Sequence, residues 1–169
     1  MTMKRMLISC LTAIVALTAA ADTLAVRNIF KEMPDSVLAY LSTNNRLDLI
    51  DFMDSNMKAE VTNSLGGKSQ MTALTDDSIS IRLNEACRVD IMLLNTTAEI
   101  DSCQKVIVLL RTFGTENVGL ETGTPEFYSV SWKRLVSKPA LAPADEKRLK
   151  ALVKPSNILN KIAEKLNKQ

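Results

Sequence analysis

Three aspartates, Asp48, Asp51 and Asp54, recur at a spacing of three in the apolar run RLDLIDFMDSNM, and Asp76 and Asp77 stand side by side further on. Two carboxylates that flank a cleft can hydrolyse a glycosidic bond without a histidine. Carboxylates at short spacing can also hold calcium in a loop. The calcium reading fails on position. Counting from Asp54, the third and fifth places are Asn56 and Lys58, and no glycine stands at the sixth. The hydrolase reading keeps these five aspartates as candidates, but nothing in their spacing sets two of them across a cleft. The chain has no histidine, which removes Ser-His-Asp and Cys-His catalysis and every His-ligated metal site. Gly66-Gly67 lacks the surroundings of a phosphate loop. The expectation is a protein that is not an enzyme, with no cofactor and no metal.

The element that positions the aspartates reads as a helix from Arg46 to Met57. Asn45 is its N-cap, and Asp48 lies in the first turn near the positive end of the dipole. At about 100° per residue, Leu49, Ile50, Met53 and Met57 share one arc and the aspartates another. The aspartates then form a solvated helix face, ground on which a basic tail can dock. Upstream, Val26, Ile29, Phe30 and Met33 predict a first helix ended by Pro34. Asp35 or Ser36 caps a second, short one that buries Val37, Leu38 and Leu41.

From Ala59 to Leu135 the period is two. Strands are predicted at Val61 to Leu65, Lys68 to Thr75, Ser78 to Leu83, Cys87 to Leu94, Cys103 to Phe113 and Phe127 to Leu135. A two-residue loop at Gly66-Gly67 sets Val61 opposite Thr72. A second at Asp76-Asp77 sets Leu74 opposite Ile79 and Thr72 opposite Ile81. Val61, Leu65, Leu74, Ile79, Ile81 and Leu83 then share a face. The odd-numbered loop Asn84-Glu85-Ala86 keeps Val89 and Ile91 on it and brings Cys87 opposite Leu83. The strand from Cys103 is apolar on both sides and belongs mid-sheet. A turn near residue 98 folds it back on the preceding strand and holds Cys87 and Cys103 far beyond disulfide reach, as two buried free thiols. Gly114 to Pro125 is read as a long loop. Tyr128, Val130 and Trp132 line one side of the last strand, as core or, for Tyr128 and Trp132, as a candidate ligand platform.

The tail predicts two short helices, Ala144 to Val153 and about Ser156 to Leu166. The second sets Ile158, Leu159, Ile162 and Leu166 beside Lys161, Lys165 and Lys168. Those lysines could touch an anionic membrane surface, or the segment docks on its own sheet. At the other end, Lys4 and Arg5 precede an uncharged run from Met6 to Ala21 that closes in small residues, the pattern of a secretory signal with the cut before Asp22. Cys10 in LISC resembles a lipoprotein box, but cleavage there strands an apolar segment on the mature chain. Residues 22–132 carry 9 basic and 16 acidic side chains, and residues 133–169 carry 10 basic and 3 acidic. This polarity suits a tail that meets an anionic partner or its own domain.

The fold class is α+β. N-terminal helices (22–58) pack on an antiparallel meander of about six strands (59–136), followed by a basic tail (137–169) of two short helices, all in one domain after a signal peptide (1–21).

The run NNRLDLIDFMDSNMKAEVTNSLGGKSQMTALTDDSISI, with MLLN, KVIVLL and FYSVSWKRL, resembles an uncharacterised family of exported Bacteroidales proteins of unknown function, over about residues 28–136. The resemblance implies the envelope or periplasm of a Gram-negative bacterium. It also implies O-glycosylation at Asp-Ser-aliphatic triplets, where Ser36 and Ser78 fit. The function read from all this is a non-enzymatic binding module for a lipid, a glycan or an envelope protein, with no nucleic-acid partner. The alternative is a structural or assembly protein acting through its sheet edge or tail.

Overall fold

The structure, a computed structural model, describes residues 24–115 and 119–153. Helices α1 (Val26–Lys31) and α2 (Thr43–Asp54) come first. Strands β1 (Glu60–Thr62), β2 (Lys68–Leu74), β3 (Ser78–Asn84), β4 (Cys87–Ile100), β5 (Cys103–Thr115), β6 (Gly119–Thr122) and β7 (Glu126–Tyr128) follow, and α3 (Pro143–Leu152) closes the order. The strands form one antiparallel sheet in the order β1-β2-β3-β4-β5-β6, and β7 pairs with β5 beside β6. The expected α+β meander is therefore present, with a seventh strand.

The doubly apolar strand sits where its composition demands. Val106, Ile107, Val108, Leu109 and Leu110 of β5 have no exposed surface, because each face of the sheet carries its own core. On the first face Ile107 and Leu109 join Ile79, Ile81, Val89 and Ile91 beneath α1 and α2. On the second face Val106, Val108 and Leu110 join Met92, Leu94 and Phe127 beneath Leu141 and Leu149. Strand alternation splits the same segment between two cores.

Several boundaries differ from the sequence reading. Residues 35–41 make turns rather than a helix, although Leu38 and Leu41 are buried. Arg46 is the reason. Only 1% exposed, it sends Nη1 to the Leu41 carbonyl at 2.8 Å and to Asp35 at 2.7 Å, and Nη2 to the Met33 carbonyl at 2.5 Å. The turns wrap this guanidinium. Helix α2 starts three residues early, at Thr43. Ser42 caps it, and Asn45, expected as the cap, closes a capping box from the N3 position. Asp48 is thus an exposed mid-helix residue. The helix stops before Met57, which is 58% exposed, since Asn56 takes φ 53°.

The Gly66-Gly67 loop is longer than two residues. Val61 pairs with Ser69, and residues 63–67 form the turn. Buried Asn63 organises it: its Oδ1 accepts from the amides of Leu65 and Gly67, and its Nδ2 donates to Ser69 Oγ and the Leu83 carbonyl. Leu65 consequently sits 73% exposed at the tip. Leu74 does pair with Ile79, but the register shifts between Met71 and Ala73, so Met71 rather than Thr72 faces Ile81. The pairs Ile79 with Ile91 and Ile81 with Val89 follow the expected register, although a shift at the loop sets Cys87 beside Asn84.

The β4–β5 turn is Asp101-Ser102, at φ 51° and 62°, not near residue 98. Both residues have the positive φ of a two-residue type I′ hairpin. Cys103 therefore faces Ile100, and Cys87 faces Phe113. Both thiols are free, and they are half-buried rather than buried. The strand expected to run to Leu135 ends at Tyr128. Trp132 takes φ 62° in the turn that follows.

Candidate functional site

The two faces of the sheet are covered to different extents, and the difference can be read row by row across the strands. On the second face, Ser78, Met92, Val108 and Phe127 stand in register, an apolar row beginning at one hydroxyl. The next row holds Ser80, Asp90 and Leu110. Further along lies Gln70, Arg82, Arg88 and Thr112, which is polar throughout. Helix α3 and the segment before it cover the apolar row. They are tied down by Asp145, whose Oδ2 accepts from both the amide and the side chain of Asn95, and by the Thr96–Leu141 bridge. The polar row stays open.

At the boundary between the covered and open halves lies a cleft of about 290 Å³, walled by Ser80, Arg88, Asp90, Met92, Arg148 and Leu152. Asp90 is its distinctive group. The residue is 6% exposed, and all its bonds fall on one oxygen: Oδ1 accepts from Ser80 Oγ at 2.5 Å and from Arg88 Nε and Nη2 at 3.1 and 2.7 Å. Oδ2 accepts nothing from any described residue. Among the described residues the only side-chain polar atom sealed away without a partner is Arg46 Nε, so Asp90 Oδ2 is not sealed off, and Asp90 lines the cleft.

Arg148 forms the opposite wall. It grips Asp77 with both terminal nitrogens, at 2.5 and 3.1 Å. That hydrogen bonding holds the Asp77 carboxyl below its ordinary value and raises the Arg148 guanidinium. Each guanidinium at the cleft is thus matched by a carboxylate, and the site as a whole is close to neutral.

Other groups have structural positions. Arg27 takes Asp54 in a two-point pair at 3.0 Å, an exposed pair that ties α1 to α2. Asp48 and Asp51 are exposed on α2. Tyr128 and Trp132 are 6% and 7% exposed and pack on each other at 5.5 Å within the first core. They are not a ligand platform, because the turn at Trp132 folds the indole inward. Glu126 pairs with Arg111 and accepts from the Tyr128 hydroxyl, and Arg111 in turn donates Nη2 to the Val37 carbonyl, which ties this edge of the sheet to the turns before α2. Cys87 borders a groove of about 530 Å³, and burial pushes its thiol up despite Arg111 nearby. A larger apolar trough, about 590 Å³, runs past Pro125, Phe127, Leu135 and fully exposed Val136.

Of the triplet serines, Ser36 is exposed in a turn. Ser78 is half-buried and shares a 2.7 Å hydrogen bond with Thr75 Oγ1. Lys161, Lys165 and Lys168, the second tail helix, the signal and Cys10 lie outside the described residues. No helix among the described residues is long and apolar enough to cross a membrane. The sequence reading missed Asp90, Arg88 and Ser80, although its own β3–β4 register puts Ser80 directly opposite Asp90. A carboxylate paired with serine inside an otherwise apolar strand was the available signal.

Residues 17–162 match the family model described as "Protein of unknown function (DUF3256)". The chain belongs to this family. A solved structure, that of a domain of an uncharacterized protein from Porphyromonas gingivalis W83, a member of the Bacteroidales, is similar in fold, with a TM-score of 0.52 and 23% identity. The match covers 66% of this chain and 54% of that one, so this chain spans about half of that protein's length. No match is found among curated proteins.

Proposed function

We propose that this member of the DUF3256 family is an exported, non-catalytic binding module of the bacterial cell envelope, and that its ligand seats in the cleft beside Asp90. One observation carries the reading: a carboxylate more than nine-tenths buried keeps one oxygen unengaged, and the residue lines a cleft. A donor bound there makes a hydrogen bond to an ionised acceptor, the stronger class of hydrogen bond. Export is supported by the signal pattern of residues 1–21. A lipid ligand is less well supported than a polar one, because β5, in the middle of the sheet, is packed on both faces by apolar side chains.

The test is a screen of small polar solutes by amide NMR on the mature chain. Shifts clustered on Ser80, Asp90 and Arg148 are the expected result. Shifts scattered over the surface, or none, contradict it. Mass spectrometry of protein recovered from the envelope checks export, with Asp22 as the expected first residue.

A second reading, an assembly role, rests on the apolar trough with Val136 fully exposed at its middle. Val136→Asp leaves a ligand-binding module unaffected and breaks an assembly, which co-purification from the native envelope distinguishes.

A further inference from the structure

The cleft's chemistry narrows the class of ligand, an inference that rests on the binding reading above. Its donors and acceptors alternate over a short distance. Asp90 Oδ2 is an acceptor without a donor. Beside it, Arg88 spends Nε and Nη2 on Asp90 Oδ1, which turns Nη1 to the far side of the guanidinium, away from Asp90. Across the cleft, Arg148 spends its two terminal nitrogens on Asp77 and keeps Nε–H. Ser80 donates to Asp90, and its oxygen can still accept. Met92 and Leu152 supply an apolar patch between these polar walls.

No charge in this arrangement is left to be neutralised. Arg88 is paired with Asp90, and Arg148 with Asp77. An anion entering the cleft meets two carboxylates at close quarters, and a cation meets two guanidiniums. A ligand that is neutral, and that offers adjacent groups able both to donate and to accept, meets neither penalty. Adjacent hydroxyls on a ring do this: one donates to Asp90 Oδ2, and a neighbour accepts from Arg148 Nε. The C–H face of such a ring is apolar and fits Met92 and Leu152. The volume, about 290 Å³, lies at the lower end of small-molecule sites, which run from about 300 to 1,000 Å³, and suits one ring rather than two. The open row Gln70, Arg82 and Arg88 leads away from the cleft and provides hydrogen-bonding surface for the units that follow in a chain.

We propose that the Asp90 cleft is a saccharide site that takes one neutral sugar unit, with Asp90 Oδ2 and Arg148 Nε addressing adjacent hydroxyls and Met92 and Leu152 beneath the ring.

The experiment is amide NMR titration of the mature chain with three sets of probes: neutral mono- and disaccharides, the anions citrate and glucuronate, and the cations lysine and spermidine. Asp90→Asn keeps the shape of the side chain but lets an amide replace the free oxygen. Glu85→Gln, in the exposed β3–β4 loop, is the control. The expected result is saturable shifts at Ser80, Asp90 and Arg148 with at least one neutral sugar, weakened tenfold or more by D90N and unchanged by E85Q, with thermal unfolding of both variants near wild type. If only the anions or only the cations titrate the cleft, the saccharide class is overturned while the cleft remains a binding site. If none of the probes moves the cleft amides, both the saccharide class and the binding reading fall. Should D90N prove misfolded, Arg148→Lys, which keeps a cation for Asp77 but withdraws the Nε donor, serves in its place: sugar affinity unaltered by R148K overturns the assignment.

Discussion

Arg148 on α3 and Asp77 in the β2–β3 turn, 71 residues apart in the chain, form a two-point ion pair at 2.5 and 3.1 Å that pins the last described helix to the sheet. The pair also forms one wall of the Asp90 cleft. Its pH dependence follows from sign. Hydrogen bonds from Arg148, and secondarily from Thr75 and Ser78, hold the folded Asp77 carboxyl below its ordinary value of 3.8. A depressed folded value adds stability that is fully present above 3.8 and is lost as pH falls through the depressed one. The pair therefore contributes a constant amount from neutrality down to about pH 5, and nothing in strong acid. Both side chains are substantially exposed, at 36% and 50%, so solvent screening limits the contribution to about 0.2–1 kcal/mol. Asp77→Asn should lower the urea midpoint at pH 7 by a corresponding amount, and the gap to wild type should close in acid, as the pH falls well below the ordinary 3.8.

Arg46 is expected to matter far more. It is fully buried, and it satisfies the Met33 and Leu41 carbonyls while holding Asp35 and Thr43. Arg46→Ala leaves those carbonyls unpaired, at a cost of about 1–3 kcal/mol each, and opens a cavity besides. Asp35→Asn should shift the midpoint much less, because Asp35 is exposed. Urea denaturation of both variants checks the ordering. Equal effects would mean that the ion pair, and not the carbonyl bonds, fixes the turns.

Much of this fold was legible because alternation is a strong signal. Val106 to Leu110 could only be a strand covered on both sides, and the Asn84-Glu85-Ala86 loop put Ile81 opposite Val89. What was not legible depended on single side chains acting over distance. Nothing in the local pattern says that Asn63 will hold a five-residue turn, or that Arg46 will be swallowed by the turns before it. Trp132 at positive φ likewise breaks a strand that its neighbours favour. The cleft was half visible: the register that aligned Ile79 with Ile91 also aligned Ser80 with Asp90. Arg148, brought in from another element, could not be placed by pairing rules at all.

The cysteines give a chemical check on the β4–β5 register. Cys87 faces Phe113 at one end of the ladder and Cys103 faces Ile100 at the other, roughly 33 Å apart along the strand at ~3.3 Å per residue. A disulfide needs Cα atoms within about 7 Å. Denatured, unreduced mature protein should take up an alkyl group on both residues. In the native state Cys87 should react slowly at neutral pH and faster as the pH approaches and passes 9.0, since burial pushes its thiol above that ordinary value and the thiolate is the nucleophile. Absence of labelling at both would place the two strands in a different register.

Trp132, the chain's one tryptophan, joins the end of the sheet to the first helix and reports on both. Its Nε1 donates to the Ile29 carbonyl at 2.8 Å in a buried contact. Ile29 lies near the end of α1, where helix carbonyls have no partner further along the chain, so the indole supplies what the six-residue helix cannot. The ring itself is 7% exposed against Tyr128. Native fluorescence should therefore be blue-shifted, and its loss on unfolding should coincide with the loss of the sheet. Trp132→Phe keeps an aromatic ring but orphans the Ile29 carbonyl, with an expected cost of about 1–3 kcal/mol. Hydrogen exchange separates the two contributions. If the hydrogen bond holds α1 in place, amides of Val26–Lys31 in W132F should exchange much faster than those of β5. If protection falls evenly across the chain, packing of the ring alone accounts for the loss, and α1 is held by its apolar face through Val26, Ile29 and Phe30.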